Sequence, residues 1–302
     1  YSPSFIGLSN YGNTCFANSS LQFLYSIPSF RNGILQYNGA NSRIRNLKTL
    51  FLCMQNNKNI GAVSDNQMKD FLLPLLGSLG FKTDAQHDAQ EFMIGLLNFI
   101  ESQIPGAMKS FQVQTLRTIT ATDGSKDPPP IKTSLETAPM IQLAAKDGSG
   151  NEISSLGDAL KKFIEKELMT GDNQVKFSDG IKMDAESVTK IESVPAVVLF
   201  QFNRFQNDGR ASSKLNHPID IPFELDLRPY CSNNLSVNLE LFAVIQHGGG
   251  VSGGHYFAHV RDNYSNKWIC FNDSMRSFVN DNEAMKKAFN ENAYVVAYRR
   301  KK

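Results

Sequence analysis

The chain has 302 residues, of which 41% are hydrophobic, 20% charged and 10% aromatic, with 31 basic side chains against 29 acidic ones. That composition is globular and excludes a disordered tail, a collagen or a coiled coil; the net charge of +2 offers no concentrated basic face for nucleic acid. No run approaches the roughly 20 apolar residues of a membrane span.

The start at Tyr1 instead of a methionine predicts a segment of a longer protein. The first hundred residues predict helices. One begins at Cys15, carries Phe16, Leu21, Leu24 and Ile27, and is expected to stop at Pro28. A second holds Ile44, Leu47, Leu50, Phe51 and Met54 on one face. A third holds Met68, Phe71, Leu72, Leu75, Leu76 and Leu79, with a break at Pro74. The fourth carries Phe92, Met93, Leu96, Leu97 and Ile100, with Asp88 and Glu91 at its start, where acids suit the helix dipole. Beyond residue 110 the pattern changes to strands at Val113–Ala121 and Met140–Leu143, with a proline-rich loop at Asp127–Pro130. A helix from Leu156 through Phe163 and Ile164 to Leu168, capped by Ser155 and Asp158, interrupts them. Strands follow at Ala196–Phe202, Leu239–Gln246, Tyr256–Val260, Lys267–Asn272 and Ala293–Tyr298. Arg299, Arg300, Lys301 and Lys302 read as a frayed solubilising tail. Helices followed by a mostly antiparallel strand block predict an α+β fold.

The four cysteines, Cys15, Cys53, Cys231 and Cys270, are too few and scattered for a disulfide framework. None makes a Cys-x-x-Cys pair, so no structural zinc site is expected. A reducing, intracellular compartment fits this usage.

Cys15 ends a loop rich in Gly and Asn, Gly7-Leu8-Ser9-Asn10-Tyr11-Gly12-Asn13-Thr14, and opens an apolar helix. Free N–H groups and the helix dipole there favour a thiolate, and the same N–H groups with a nearby Asn amide can donate to an oxyanion. A lone cysteine packed as a small hydrophobe is the other reading of this segment. A nucleophilic cysteine needs a histidine held by a third polar group. Of the five histidines, His87 and His217 read as surface residues, and His247 is a further candidate. His255 follows Gly253-Gly254 and opens the strand that continues through Tyr256 and His259. Asn272 and Asp273 end the next strand, where such a pair can orient an imidazole. Adjacent strand residues face opposite ways, so only one of the two is expected to aim at the ring. A metal shared by His255 and His259 fails on a strand, where four residues span roughly 13 Å.

Gly7–Ser19, continuing to Leu21-Gln22-Phe23-Leu24, resembles the cysteine box of the ubiquitin-specific proteases. Gly254-His255-Tyr256, with Trp268, Phe271, Asn272 and Asp273, resembles their histidine box. Gln86–Phe92, Leu199–Phe205, Ile219–Tyr230 and Ala243–His247 are similar to family segments that fall in the same order, so the resemblance spans about residues 5–298. It implies a papain-like cysteine protease of thumb, palm and fingers architecture in a single catalytic domain. The thumb would occupy about residues 1–110, the fingers and part of the palm 111–195, and the palm 196–302.

The resemblance further implies hydrolysis after the C-terminal Gly-Gly of ubiquitin without a cofactor. Cys15 would be the nucleophile, His255 the base, Asn272 its orienting partner with Asp273 as second support, and Asn10 an oxyanion donor. Gln86, Asp88, Glu91, Gly254 and Tyr256 would face substrate, and the loops Gln206–Ser213 and Gly248–Gly254 would border the tail channel. The expected partners are ubiquitin and ubiquitinated proteins in the cytoplasm or nucleus, with no nucleic acid and no membrane span. The alternatives are a protease of a ubiquitin-like modifier such as SUMO and an inactive ubiquitin-binding pseudoprotease. One departure stands out. Family members often bind zinc through two Cys-x-x-Cys pairs in the fingers, whereas Thr120–Asp127 and Gln174–Gly180 contain no cysteine.

Overall fold

Every residue of the helix Cys15–Tyr25 is buried, so it has to sit inside the molecule with partners all round. In the computed structural model, which describes residues 6–56, 62–209, 211–233 and 237–301, it lies between a layer of helices and a large sheet. Arg210 and Lys302, part of the expected loop and tail, fall outside the described residues. The helical layer comprises Pro28–Leu35, Ser42–Asn56, Asp65–Phe71, Leu73–Ser78 and Ala89–Gln103. Pro28 does not simply end the first helix. It opens the next one, since a first-turn proline lacks only an N–H that would be unpaired anyway. The break expected at Pro74 occurs at Leu72, between two short helices. Asp88 caps Ala89–Gln103 by accepting from the N–H groups of Gln90 and Glu91 at 2.7 and 3.1 Å.

The large sheet has eight strands. Seven run in the order Met275–Val279, Trp268–Asn272, His255–Arg261, Asn238–Gly248, Ala293–Arg300, Val197–Asn203 and Ile141–Ala144, and Glu224–Asp226 also pairs with Asn238–Gly248. All pairings are antiparallel except that of Ile141–Ala144 with Val197–Asn203. One face packs on the Cys15 helix in a core that includes Phe16, Leu21, Ala243, Ile245 and Val295. The other packs on Leu156–Phe163 and on a helix absent from the sequence reading, Asn282–Asn292, through Leu160, Met285 and Phe289. The first of these stops at Phe163. Leu168 belongs to the strand Glu167–Met169, paired with Glu186, and is exposed, so it could not extend the apolar face of that helix. The expected frayed tail is also corrected. Arg299 lies in the last strand with Nε 2.8 Å from Glu240, and Lys301 lies 2.6 Å from Glu224.

A second, four-stranded antiparallel sheet runs Ile131–Ala138, Val113–Ala121, Ala185–Ser193, Glu167–Met169. Where the zinc-binding cysteines would stand, its tip is a small core of Ala121, Phe177, Met183 and Ala185 beneath the hairpin Val175–Lys176/Lys182–Met183. The Thr122 N–H donates to the Asp184 carbonyl at 2.8 Å, Gln174 donates to the Asp184 carboxylate at 2.9 Å, and Lys126 pairs with Asp179. The tip is thus held by this apolar packing and these polar contacts. Phe177→Ala should cost the tip about 3–5 kcal/mol. Hydrogen exchange is expected to show the amides around 119–122 and 175–185 losing protection while the Cys15 helix keeps its own; an equally protected tip would contradict this.

Candidate active site

The loop before Cys15 is wound onto the helix start by side chains. Asn10 accepts from the Thr14 N–H at 3.0 Å and the Thr14 hydroxyl at 3.2 Å, and Thr14 Oγ1 accepts from the Tyr11 N–H at 2.9 Å. Cys15 is the first helical residue and is 5% exposed. Among the described residues nothing accepts from its N–H, as expected for the orphan donors of a helix N-terminus. One turn on, the Asn18 amide lies 3.1 Å from the Leu8 carbonyl and 2.9 Å from Asp273 Oδ1. Gln22 donates to the Ile6 carbonyl at 2.7 Å. The helix therefore fastens both its own entry strand and a turn from the far end of the chain.

That turn carries the third group. His255, at the head of its strand, donates from Nε2 to Asn272 Oδ1 at 2.6 Å, and the Cys15 thiol bonds the same imidazole. Asp273 Oδ2 lies 3.8 Å from the same Nε2 and accepts from the Asn10 amide at 3.1 Å. Of the pair, Asn272 alone hydrogen-bonds the ring, while Asp273 comes near it without bonding it. Alternation ends with the strand at Asn272, and Asp273 sits in the left-handed region (φ 49°), which swings its carboxylate back towards His255. Leu8 N–H donates to the Asp273 carbonyl at 2.9 Å. A Cβ on Gly7 would come within 2.3 Å of the Ser274 carbonyl oxygen, so only glycine lets the entry strand meet this turn. The hydrogen bond to Cys15 raises the His255 pKa to about 9, against the opposing effect of burial, and the Asn272 bond and the charges on Cys15 and Asp273 add to the rise.

Around this centre the other expected residues fall as follows. Gly254 packs on the ring of His247, where a Cβ would come within 2.1 Å of Nε2, and Gln86 donates to the Gly254 carbonyl at 3.0 Å. Tyr256 is buried, packs at a tilt on His247 with ring centroids 4.5 Å apart, and has its phenol pKa pushed up by burial and by the Asp88 charge. Asp88 points inward: one oxygen caps its helix and the other accepts from the Tyr294 hydroxyl at 2.6 Å. Glu91 is exposed one turn further on. A cavity of about 150 Å³ opens between Gln86, His87, Asp88, Phe205, His247, Val251 and Tyr256. Among the described residues no three His, Cys, Asp or Glu side chains gather as a metal site. His259 is buried further along the His255 strand, against Phe289.

Two residues at the site, Asn18 and Lys214, were given no role by the sequence, and His247 stood there only as one candidate base among five. Asn18 lies within the cysteine box, but only its position one turn after Cys15 hinted that it faces the same way. His247 and Lys214 announce nothing by local pattern. Burial, then the Lys214 and His255 charges, push the His247 pKa down to about 4, so this ring is neutral beside a charged one.

A sequence profile described as "Ubiquitin carboxyl-terminal hydrolase" matches residues 6–298. The chain is 29% identical over 291 residues to zebrafish (Danio rerio) ubiquitin carboxyl-terminal hydrolase 48, covering 89% of this chain and 27% of that protein. It is 28% identical to the probable ubiquitin carboxyl-terminal hydrolase 16 of Schizosaccharomyces pombe, covering 99% of this chain and 67% of that one. It is 25% identical to mouse (Mus musculus) Ubl carboxyl-terminal hydrolase 18, covering 97% and 85%. The fold is similar to a chain of the SAGA DUB module Ubp8/Sgf11/Sus1/Sgf73 bound to monoubiquitin. That match has a TM-score of 0.82 at 24% identity and covers 99% of this chain and 70% of the other.

The causes of the His255 shift set its pH behaviour. A histidine pKa raised above its ordinary 6.5 adds stability below that value and loses it as pH rises through about 9. Removing the largest cause should lower the value. An NMR titration of the His255 ring is expected to give a midpoint near 9 in the native protein and a clearly lower one in Cys15→Ala. Equal midpoints would contradict the thiol–imidazole pairing.

Proposed function

The chain belongs to the ubiquitin carboxyl-terminal hydrolase family, and from that premise we propose that it is a thiol-dependent hydrolase cleaving the peptide or isopeptide bond after the C-terminal Gly-Gly of ubiquitin. The observation that carries this reading is the meeting of Cys15, His255 and Asn272, with the Asn272 amide oxygen 2.6 Å from His255 Nε2 and the Cys15 thiol bonding the same ring and raising its pKa. In that arrangement the Cys15 thiolate attacks the scissile carbonyl. The imidazolium gives its proton to the departing amine, and the acyl group stays on sulfur. The neutral imidazole then takes a proton from water, whose attack frees the carboxylate and restores the thiol. The unpaired Cys15 N–H and the second N–H of the Asn10 amide, whose first is held by Asp273, would receive the oxyanion. Asp273 supports the ring electrostatically and holds Asn10 in place.

The helical layer serves as thumb, the large sheet as palm and the small sheet as fingers in this reading. Cavity-lining Gln86, Tyr256 and the backbone of Gly254 would guide the Gly-Gly tail beside Cys15. Exposed Glu91 would meet a basic tail residue, while Asp88 acts by holding the helix start and Tyr294. A complete nucleophile, base and orienting group supports catalysis over a binding-only role. A ubiquitin-like modifier is the second reading, favoured by the name of the mouse relative, a Ubl carboxyl-terminal hydrolase. All four cysteines are free thiols and no described helix is long and apolar enough to cross a membrane; an intracellular setting suits a mechanism that needs a reduced thiol.

The test compares fluorogenic C-terminal amides of ubiquitin and of ubiquitin-like modifiers. The native protein should release the fluorophore from ubiquitin, most slowly above pH 9, where the imidazolium is lost. Cys15→Ala should abolish release while still binding ubiquitin, because recognition is spread over a broad surface. Turnover of a ubiquitin-like amide alone would transfer the reading to that modifier, and full activity in Cys15→Ala would overturn the mechanism.

A further inference from the structure

The two segments beside the cavity are joined by one side chain. The hairpin Phe205–Asn207/Ser212–Lys214 ends at Lys214, whose ammonium donates to the carbonyls of His247 at 2.6 Å and Gly249 at 3.0 Å. These carbonyls stand where the strand Asn238–Gly248 gives way to the loop that leads to Gly254 and His255. No described carboxylate pairs with Lys214. Its charged neighbour is another cation, Arg204, which is fully buried and donates to the carbonyls of Ala293 at 2.8 Å, Leu215 at 3.1 Å and His217 at 2.8 Å. Two cations bound only to main-chain oxygens thus hold this hairpin: Arg204 roots its base, and Lys214 reaches across.

The path from Lys214 to the reacting groups is short and continuous. The His247 main chain is held by Lys214, its ring lies against Gly254, and Gly254 is pinned from the opposite side by Gln86 at 3.0 Å. His255 is the next residue. Its imidazole must meet Cys15 on one side and Asn272 on the other, with Asp273 nearby. We propose that Lys214 is a positioning residue that clamps the 248–254 loop to the hairpin and thereby holds the His255 imidazole at bonding distance from Cys15. The proposal rests on the reading of His255 as the base. The clamp depends on the Nζ donors, which bond the two carbonyls, and not only on the aliphatic stem. Burial and the Arg204 charge lower the Lys214 pKa to about 8, marking how few other groups solvate it.

The test substitutes Lys214→Met, which keeps the stem and loses the donors, beside Lys214→Arg, which keeps a cationic donor. Two readouts are taken on folded protein: the His255 ring titration, and kcat on ubiquitin amide per active site, counted by alkylation of Cys15. Lys214→Met should move the His255 midpoint down from about 9 towards the ordinary histidine range. It should also cut kcat per site about tenfold, since small misplacements of a catalytic group are costly. Lys214→Arg should recover most of both. If Lys214→Met does not fold, Lys214→Leu, which also lacks a donor, is read in the same way. A folded variant with native midpoint and native kcat per site would overturn the clamp, because a role in overall stability alone changes the number of sites and not the behaviour of each. Native protein inert to ubiquitin amides would remove the proposed substrate and leave the titration as the test of Lys214.

Discussion

One carboxylate at a tight turn holds the site together. Asp273 binds Asn10 from the entry loop and Asn18 from the Cys15 helix, partners separated from it by 263 and 255 residues of chain. Its own carbonyl takes the Leu8 N–H, and its second oxygen approaches His255. Cys15 and His255 come from opposite ends of the sequence, on a helix and on a sheet that have no covalent reason to meet. Hydrophobic burial brings the two layers together but specifies their register only loosely. The Asp273 bonds, with Gly7 pressed against Ser274, set that register. Three amide or main-chain donors converge on one residue: the Asn10 and Asn18 amides on its carboxylate, and the Leu8 N–H on its main-chain carbonyl.

The charges follow a consistent arrangement. His255 is half-exposed and sits beside the thiol and Asp273, and its cationic form is favoured. His247 is buried with Lys214 close by, and its cationic form is suppressed. The two rings lie on paired antiparallel strands and are held in opposite protonation states by different causes, burial for His247 and the bond to Cys15 for His255. Lys214 adds to the suppression of the His247 cation, while the Asp273 charge adds to the favouring of the His255 cation.

The legible parts of the sequence were those where burial imposes a period. The stripes of Ser42–Asn56 and Ala89–Gln103 have one buried face, and the central strands Val197–Asn203, Asn238–Gly248 and Ala293–Arg300 are apolar because both their faces are covered. Cys15, His255 and Asn272 were readable because their chemistry requires those residue types within motifs that resemble a known family. The strand Ile131–Ala138 was hidden because it is exposed over most of its length and shows no alternation. Asn282–Asn292 was hidden because only Met285 and Phe289 are buried along it. Leu168 misled because an exposed leucine looks the same in a sequence as a buried one. The basic C-terminal residues looked frayed because their acidic partners, Glu240 and Glu224, lie far upstream. The back-turned Asp273 depends on a backbone conformation that no side-chain pattern encodes.

The account turns on Asp273 as the joint between the two halves of the site, and Asp273→Asn probes it most directly. The substitution keeps shape but replaces one acceptor oxygen with a donor facing the amide of Asn10 or Asn18. Steady-state kinetics on a ubiquitin amide, expressed per folded protein, should show kcat lower by about 100-fold, the scale expected when catalytic groups shift by an ångström. Native kcat in folded Asp273→Asn would show that the two halves meet correctly without this carboxylate, and would contradict the account.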